Sequence, residues 1–259
     1  MSETPLLQTS EESLREMPVM EHFAELRRRF IRILAAWVIG LLASFEFAPF
    51  FYDWLSQPLQ DVLGSDTSLI FISPVEPFFV YLKLSFLASV FLTSPYTFWQ
   101  VWRFVAPGLY RHEKRTILPI ALLSSLVFMA GAVFCYTMIL PLGMKALIAA
   151  GQTEDFTATA QISMQSYFAL TTRLLLAFGI VFEMPVFSIF LTRLGIITHR
   201  TLLGHWRTAI IMIFIIAAIL TPPDVITQIS LALPMCVLYA VSILLAWLVQ
   251  RRHVLPQSP

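Results

Sequence analysis

The amino-acid sequence predicts an all-α membrane protein whose chain crosses the bilayer several times. Of its 259 residues, 58% are hydrophobic and only 13% are charged, and the mean hydropathy is +0.76. Soluble domains have about 45–50% apolar and about 25% charged residues. The apolar excess lies in long runs, and about 20 apolar residues make a helix that crosses the hydrocarbon core. Because backbone groups in lipid must be hydrogen-bonded within their own segment, we expect these runs to be helices.

Six apolar runs mark the predicted spans, and the first four are long enough to cross the bilayer, some with tilt. The fifth is short, because only a dozen fully apolar residues precede the turn at 221–224. The sixth follows at once, so we expect the last two spans to form a tight hairpin. The apolar length of this hairpin is shorter than the hydrocarbon thickness of the bilayer, and the mismatch would be met by bilayer thinning or by partner subunits. The predicted spans are 30–50, 77–98, 117–140, 168–194, 208–220 and 225–249, with a short helix near 142–150 inside the loop 141–166.

The basic residues predict the orientation of these spans, since Lys and Arg are in excess in cytoplasmic loops. The opposite loop, 51–76, contains four acidic residues and no Lys or Arg. Both termini are therefore expected in the cytoplasm. Fourteen of the 17 basic residues lie on the predicted cytoplasmic side: Arg15, Arg27, Arg28, Arg29, Arg32, Arg103, Arg111, Lys114, Arg115, Arg193, Arg200, Arg207, Arg251 and Arg252.

The spans divide the chain into three parts. Residues 1–29 are predicted to be a cytoplasmic N-terminal segment, which is rich in Glu and unlike a secretory signal. Residues 30–249 form the six-span domain, and residues 250–259 form a cytoplasmic tail. Asp224 lies where it would cap the sixth span.

The histidines argue against an intramembrane hydrolase. All five lie in predicted cytoplasmic segments or at their edges, so a Ser–His dyad or an HExxH zinc helix has no histidine at membrane depth. The two cysteines, Cys135 and Cys236, lie inside apolar runs and are expected to be buried hydrophobic groups. We therefore expect no catalytic residue, no metal site and no cofactor. The histidines are His22, His112, His199, His205 and His253.

Glu183 is the most unusual acidic residue, because it lies well inside the fourth span, in Phe178-Gly179-Ile180-Val181-Phe182-Glu183-Met184-Pro185. An acidic group at the bilayer centre costs about 2.5–3.5 kcal/mol on insertion scales, so it should face protein or water. One interpretation is structural, with a neutral carboxylic acid bonding carbonyls freed by Pro185. The other is a polar site for a partner helix or a substrate.

Two predicted cytoplasmic acids lie beside arginines. Glu25 precedes Arg27, Arg28 and Arg29 at the start of the first span, and Glu113 is flanked by further basic residues. The ordinary interpretation is local pairing, with Arg28 or Arg29 one turn after Glu25. A carboxylate is nonetheless the natural receptor for a guanidinium, which it binds through two hydrogen bonds. Two such carboxylates on one surface could recognise two adjacent arginines.

Polar side chains also mark the predicted hairpin. Thr221, Thr227 and Gln228 cluster at its non-cytoplasmic end. A Gln inside an apolar run usually makes an interhelical hydrogen bond. Its partner here is either this chain or another subunit, and the sequence leaves both open.

Four ordered motifs give the chain a family resemblance. The segment His22-Phe23-Ala24-Glu25-Leu26-Arg27 resembles the TatC signature before the first span, and residues 94–113 resemble that family's first cytoplasmic loop. Phe-Gly-x-x-Phe-Glu-x-Pro at 178–185 and Leu-Thr-Pro-Pro-Asp at 220–224 match in order and spacing. Pro58, in the looser first non-cytoplasmic loop, falls where the family also has a proline.

The resemblance implies a function that the residues alone do not give. TatC proteins are receptor subunits of the twin-arginine translocase of the bacterial inner membrane, and they recognise the Arg-Arg signal peptides of folded cargo. They assemble with TatA-type and TatB-type single-span subunits and with further copies of themselves, and export draws on the proton-motive force. The implied fold is a bent, glove-like wall of six helices with a hollow face and short fifth and sixth helices. No nucleic-acid partner is expected.

The resemblance also assigns residues. Glu25 and Glu113 become the signal-recognition acids, and Arg27 belongs to the same surface. Phe104 shapes that surface together with the 107–110 segment, which contributes Pro107, Leu109 and Tyr110. Glu183 becomes the polar site of the hollow face, and Thr221 with Gln228 becomes a contact for a partner helix.

Two other classes of protein compete with this interpretation. A proton-coupled transporter of small solutes would use Glu183 as a relay, but it needs several polar groups at midplane depth and the sequence offers essentially this one. An intramembrane hydrolase is disfavoured by the positions of the histidines.

Overall fold

The computed structural model describes residues 19–63, 69–105, 117–151, 161–221 and 225–253. Within these ranges the chain is helical, and the only β pairing is an isolated bridge between Ile70 and Ser163. The α-helices are α1 (Val19–Phe45), α2 (Ala48–Leu63), α3 (Glu76–Leu92), α4 (Ser94–Val105), α5 (Ile117–Phe134), α6 (Leu140–Gly151), α7 (Met164–Phe182), α8 (Met184–Arg193), α9 (His199–Gly204), α10 (Trp206–Leu220) and α11 (Val225–His253).

The helices account for all six predicted spans. Three continuous segments are long and apolar enough to cross a membrane: 117–149, 164–193 and 225–251. Two bent pairs, α1 with α2 and α3 with α4, each pass the same criterion as one span, and α10 is a shorter apolar helix. Many apolar side chains of these helices are exposed, including Val38 and Leu42 on α1, which suits a lipid-facing surface. The all-α, six-span prediction is confirmed.

The first span is bent more sharply than the sequence suggested. The chain turns by 86° between α1 and α2, and α1 begins well before the predicted start at residue 30. The 51–76 segment was expected to be a loop, but its first half is the helix α2. Pro58 therefore lies inside a helix, and it is buried there.

Pro58 leaves a backbone carbonyl oxygen of its own helix free to accept a hydrogen bond from another helix. Proline has no N–H, so the carbonyl oxygen four residues earlier, on Trp54, lacks its helical donor. The hydroxyl of Tyr136 donates to that oxygen at 2.8 Å, and the Tyr136 ring stacks on Trp54 with centroids 4.5 Å apart. At the next residue, Tyr167 of α7 donates to the Leu55 carbonyl at 2.6 Å. Two tyrosines thus attach α2 to the spanning helices.

The third predicted span does not end at residue 140. A five-residue π-helical turn, Cys135–Ile139, connects α5 to α6 without a break. The N–H of Leu140 reaches back to the Cys135 carbonyl, and Pro141 follows without an N–H of its own. The helix therefore runs into the region predicted as a loop, and the short helix expected near 142–150 is its last part.

The α1 and α3 helices approach closely where small side chains meet. A Cβ atom on Gly40 would lie only 2.6 Å from the Ser89 hydroxyl oxygen. That hydroxyl donates to the Trp37 carbonyl at 2.6 Å, and the Trp37 indole donates to Thr97 at 3.2 Å. These contacts fix α1 against both halves of the bent α3–α4 pair, which is bent by 57°.

A buried carboxylate joins the two predicted non-cytoplasmic segments. One oxygen of Glu76, at the start of α3, accepts from the backbone N–H groups of Ile72 at 2.8 Å and Ser73 at 3.4 Å. The other accepts from the Ser163 hydroxyl at 2.8 Å and the Gln165 N–H at 2.6 Å. Backbone hydrogen bonds between Ile70 and residues 162 and 164 run alongside. Glu76 therefore ties the segment before α3 to the N-terminus of α7.

Candidate functional site

The first candidate site is a polar network between α1 and α4, made of Glu25, Arg29, Gln100 and Tyr96. The Arg29 guanidinium donates to one oxygen of Glu25 through both Nε and Nη2. Its Nη1 donates to the Gln100 carbonyl oxygen at 3.2 Å, and the Gln100 amide donates to the Tyr96 hydroxyl at 2.8 Å. Gln100 is buried, and the Arg29 side chain is only 11% exposed. The α4 side of the network thus holds Arg29 in place.

Glu25 is the outermost member of this network. Its side chain is 29% exposed, and both bonds from Arg29 end on the same carboxylate oxygen, Oε1. Among the described residues nothing donates to Oε2. The local pairing predicted between Glu25 and Arg29 is confirmed. One oxygen of this partly exposed carboxylate therefore accepts no hydrogen bond from a described residue and can accept from an external donor.

An aromatic stack borders the same surface. The ring of His22 on α1 stacks on Phe104 of α4, with centroids 4.4 Å apart and planes 16° from parallel. This contact brings the ends of α1 and α4 together and places Phe104 one turn from Gln100. Arg27 is exposed on α1. The structure therefore brings Glu25 and Phe104 onto neighbouring helices.

Several predicted residues lie outside the described ranges. These are Glu113, Pro107, Leu109 and Tyr110 of the first cytoplasmic loop, and Asp224 of the hairpin turn. Their assignments remain sequence predictions.

The second candidate site is Glu183, at the break between α7 and α8. Pro185 follows it and lacks an N–H, and the helix restarts with the Phe187 N–H donating to the Glu183 carbonyl at 2.9 Å. The side chain is 3% exposed and lies beside Ser124 and the Phe128 backbone of α5. Neither carboxyl oxygen has a hydrogen bond of normal geometry to a described residue. The bonds to freed carbonyls that the structural interpretation requires are therefore not formed among the described residues.

The neighbours of Glu183 are themselves held in place. The Ser124 hydroxyl accepts from the Trp102 indole at 2.9 Å, and the Trp102 ring stacks on Phe187 with centroids 5.2 Å apart. Trp102 is buried, as is Phe128. Glu183 thus lies at the junction of α4, α5, α7 and α8, with an aromatic wall on one side and an unsatisfied carboxyl group at its centre.

The third candidate site, at the hairpin, uses its polar groups within the chain. Thr221 donates to the Ala217 carbonyl at 2.9 Å, and the Gln228 amide donates across the hairpin to the Phe214 carbonyl at 3.1 Å. The Gln228 bond joins α10 to α11. Of the two partners left open by the sequence, the structure contains this internal one.

Sequence reasoning missed the α4 residues of the α1–α4 network. Gln100 and Tyr96 were part of a motif but were not singled out, although they lie four residues apart on one helix face. The signal available in the sequence was a Gln within a largely apolar segment, which favours a hydrogen bond to another helix. No group of three or more His, Cys, Asp or Glu side chains in the described ranges is arranged to hold a metal ion.

Comparison with known proteins identifies the family. Residues 21–234 match the family described as Sec-independent protein translocase protein (TatC). The TatC protein of Desulforapulum autotrophicum is 40% identical over 227 residues, which cover 88% of this chain and 83% of that protein. That of Aquifex aeolicus is 39% identical over 91% of this chain and 97% of its own length. The chain belongs to the TatC family.

A solved TatC structure agrees with the fold. The structure described as the crystal structure of twin arginine translocase receptor TatC superimposes with a TM-score of 0.80 at 39% identity, covering 89% of this chain and 100% of that one. The chain is therefore a multi-pass membrane protein of the protein-transport machinery with the bent, six-helix TatC fold. The sequence resemblance to this family is confirmed.

Proposed function

We propose that this chain is the receptor subunit of a twin-arginine translocase in the bacterial inner membrane. In this proposal, Glu25 and Glu113 bind the paired arginines of a signal peptide at the cytoplasmic face. The chain also scaffolds TatA-type and TatB-type single-span subunits, and further copies of itself, for export driven by the proton-motive force. Arg27, Phe104 and the 107–110 segment complete the recognition surface.

One observation carries the recognition proposal: Glu25 already holds a guanidinium, that of Arg29. This carboxylate therefore already accepts two hydrogen bonds from one guanidinium, and an arginine of a signal peptide carries the same donors. Arg29 is also held by Gln100 at 3.2 Å, so it keeps a partner when Glu25 turns toward a ligand. In the free receptor Arg29 occupies only Oε1 of Glu25, so Oε2 can accept from an arginine of the peptide.

The test is the affinity of the purified protein for an Arg-Arg signal peptide with an unchanged hydrophobic core. A hydrogen bond to a charged group contributes about 1.5–3 kcal/mol, so Glu25→Ala and Glu113→Ala should each weaken binding by roughly ten-fold to a hundred-fold. Glu→Asp should be intermediate. A Lys-Lys peptide should bind poorly to the parent protein, because an ammonium cannot donate two parallel hydrogen bonds.

Glu46→Ala is the matched control, because Glu46 is an exposed acid between α1 and α2. It should leave peptide affinity unchanged. If both Glu25→Ala and Glu113→Ala bind the Arg-Arg peptide as tightly as the parent, these acids are ordinary solvated surface and the recognition assignment is wrong.

Glu183, Thr221 and Gln228 support the scaffolding part of the proposal. Glu183 is a buried carboxyl group with no hydrogen bond of normal geometry to a described residue, so a polar group from a partner helix would satisfy it. Thr221 and Gln228 lie at the end of the short hairpin, where a partner helix could share their carbonyl and hydroxyl groups. The buried position of Glu183 requires a rearrangement of α5 or α7 before contact.

A further inference from the structure

A cleft lies between the end of α8, the short helix α9 and the end of α11. Its volume is about 580 Å³. It is far along the chain from the α1–α4 network, and no residue of that network lines it. The lining residues are Thr192, Arg193, Thr198, His199, Arg200, Trp247, Val249, Gln250 and Arg251.

The cleft is lined by positively charged side chains and by no negatively charged one. Arg193, Arg200 and Arg251 line it, and no carboxylate does. From residue 184 to the end of the chain the only acid is Asp224, which precedes α11, whereas the cleft lies at the end of that helix. In the described ranges the only ion pair is the one between Arg29 and Glu25. Three guanidinium groups therefore face one cleft, and none of them is paired with a carboxylate of the described residues.

One residue of the cleft wall, Thr192, has a buried hydroxyl group. Thr192 is 6% exposed, and its hydroxyl oxygen is buried without a hydrogen-bond partner among the described residues. A buried hydroxyl normally has a partner, because leaving it unsatisfied is costly. A small rearrangement of the cleft wall on binding would let this hydroxyl donate to an acceptor in the cleft.

An exposed apolar strip of α11 adjoins the cleft at Trp247. The Arg251 guanidinium lies over the Trp247 ring, 5.0 Å from its centroid. Leu244, Trp247, Leu248 and Arg251 share one face of α11 by their spacing, and the two leucines are 53% and 42% exposed. This face belongs to a helix long and apolar enough to cross the membrane. A cationic cleft thus continues into an apolar strip.

We propose that this cleft binds the phosphate headgroup of an anionic phospholipid, with the acyl chains lying along the apolar strip of α11. A free phosphate has the same anionic chemistry, but it would not use the strip. Basic pockets between membrane helices on the cytoplasmic side are suited to anionic headgroups, and guanidinium groups bind phosphate through two hydrogen bonds. The proposal does not depend on signal-peptide recognition.

The experiment measures lipid binding to the detergent-solubilised full chain by native mass spectrometry, with phosphatidylglycerol and phosphatidylcholine as probes. Arg200→Gln and Arg251→Gln should each weaken phosphatidylglycerol binding about fivefold and leave phosphatidylcholine binding unchanged. Arg207→Gln is the matched control, because Arg207 also lies over a tryptophan, 5.6 Å from the Trp206 centroid, but does not line the cleft. The Arg207→Gln variant should bind phosphatidylglycerol as tightly as the parent protein.

Thr192→Val tests the site without changing charge, and the two side chains are similar in size. It should weaken phosphatidylglycerol binding while leaving the unfolding temperature close to that of the parent. An unchanged affinity would place the headgroup elsewhere and overturn the proposal. An equal loss in Arg207→Gln would overturn it too, since any surface arginine would then suffice. Displacement of the lipid by an equimolar amount of inorganic phosphate would identify a soluble anion as the ligand instead.

Discussion

At the scale of single residues, Glu183 has the most unusual environment. It is almost fully buried between α5 and the α7–α8 break, yet its carboxyl oxygens have no hydrogen bond of normal geometry among the described residues. A buried polar group without a partner costs about 1–3 kcal/mol. A residue that only stabilised the fold would be expected to have its hydrogen bonds made within the chain.

We expect Glu183→Ala to leave signal-peptide affinity near that of the parent while slowing transport or weakening partner-helix association. Loss of one buried hydrogen bond to the partner helix, about 1–3 kcal/mol, corresponds to a roughly five-fold to hundred-fold weaker association. Glu183→Gln, which keeps hydrogen-bonding groups, should be milder. Transport of a folded cargo into membrane vesicles measures this, with Glu46→Ala as control. Full activity of both variants would mean that Glu183 serves the fold alone.

The sequence predicted the exposed and intramembrane acids because charge in unusual places can be seen without a structure. It did not predict the contacts that hold them. Gln100 binds Arg29 from another helix, 71 residues away in the chain. Contacts between residues so far apart in the chain produce no periodic pattern in the sequence. The Glu25–Arg29 pair was predictable because it lies within one helical turn.

At the scale of helices, α5 and α7 approach each other through glycines. A Cβ atom on Gly131 would lie 2.7 Å from the Phe178 carbonyl oxygen and 2.8 Å from the Phe182 Cβ. Small residues allow such close approach, and membrane helices use it for packing. Gly143 of α6, by contrast, has no atom within 4 Å of the same position.

We expect Gly131→Ala to lower the unfolding temperature and Gly143→Ala to leave it unchanged or raise it. The first substitution forces backbone and side chain apart, at a cost of about 1–3 kcal/mol. The second gains about 0.5–1 kcal/mol, because alanine is favoured over glycine inside helices. Thermal unfolding of the two purified variants in the same detergent makes the comparison. Equal midpoints would contradict the packing described here.

Helix boundaries were the part of the fold that sequence patterns predicted least well. Hydropathy places an apolar run in the membrane but does not reveal a bend within it, such as the 86° turn between α1 and α2. It also ended the third span too early, because a π-helical turn carries the helix into Pro141. Both features depend on local backbone hydrogen bonds rather than on apolar character.

At the scale of the whole molecule, the distribution of basic residues predicts the orientation. We expect reporter fusions after Gly64 and Gln152 to lie outside the cytoplasm, and fusions after Arg115, Arg200 and Arg252 to lie inside it. Paired reporters that are active on opposite sides of the membrane measure this. A clear reversal at any one position would contradict the six-span topology.

The carboxylate of Glu76 also bears on how the protein is made. Its two donors in the second segment, Ser163 and Gln165, are synthesised almost ninety residues after it. While the ribosome makes the intervening chain, Glu76 has only its nearby backbone donors, those of Ile72 and Ser73. We therefore expect this connection to form only after residues 163–165 have been synthesised and have reached the side of the membrane where Glu76 lies.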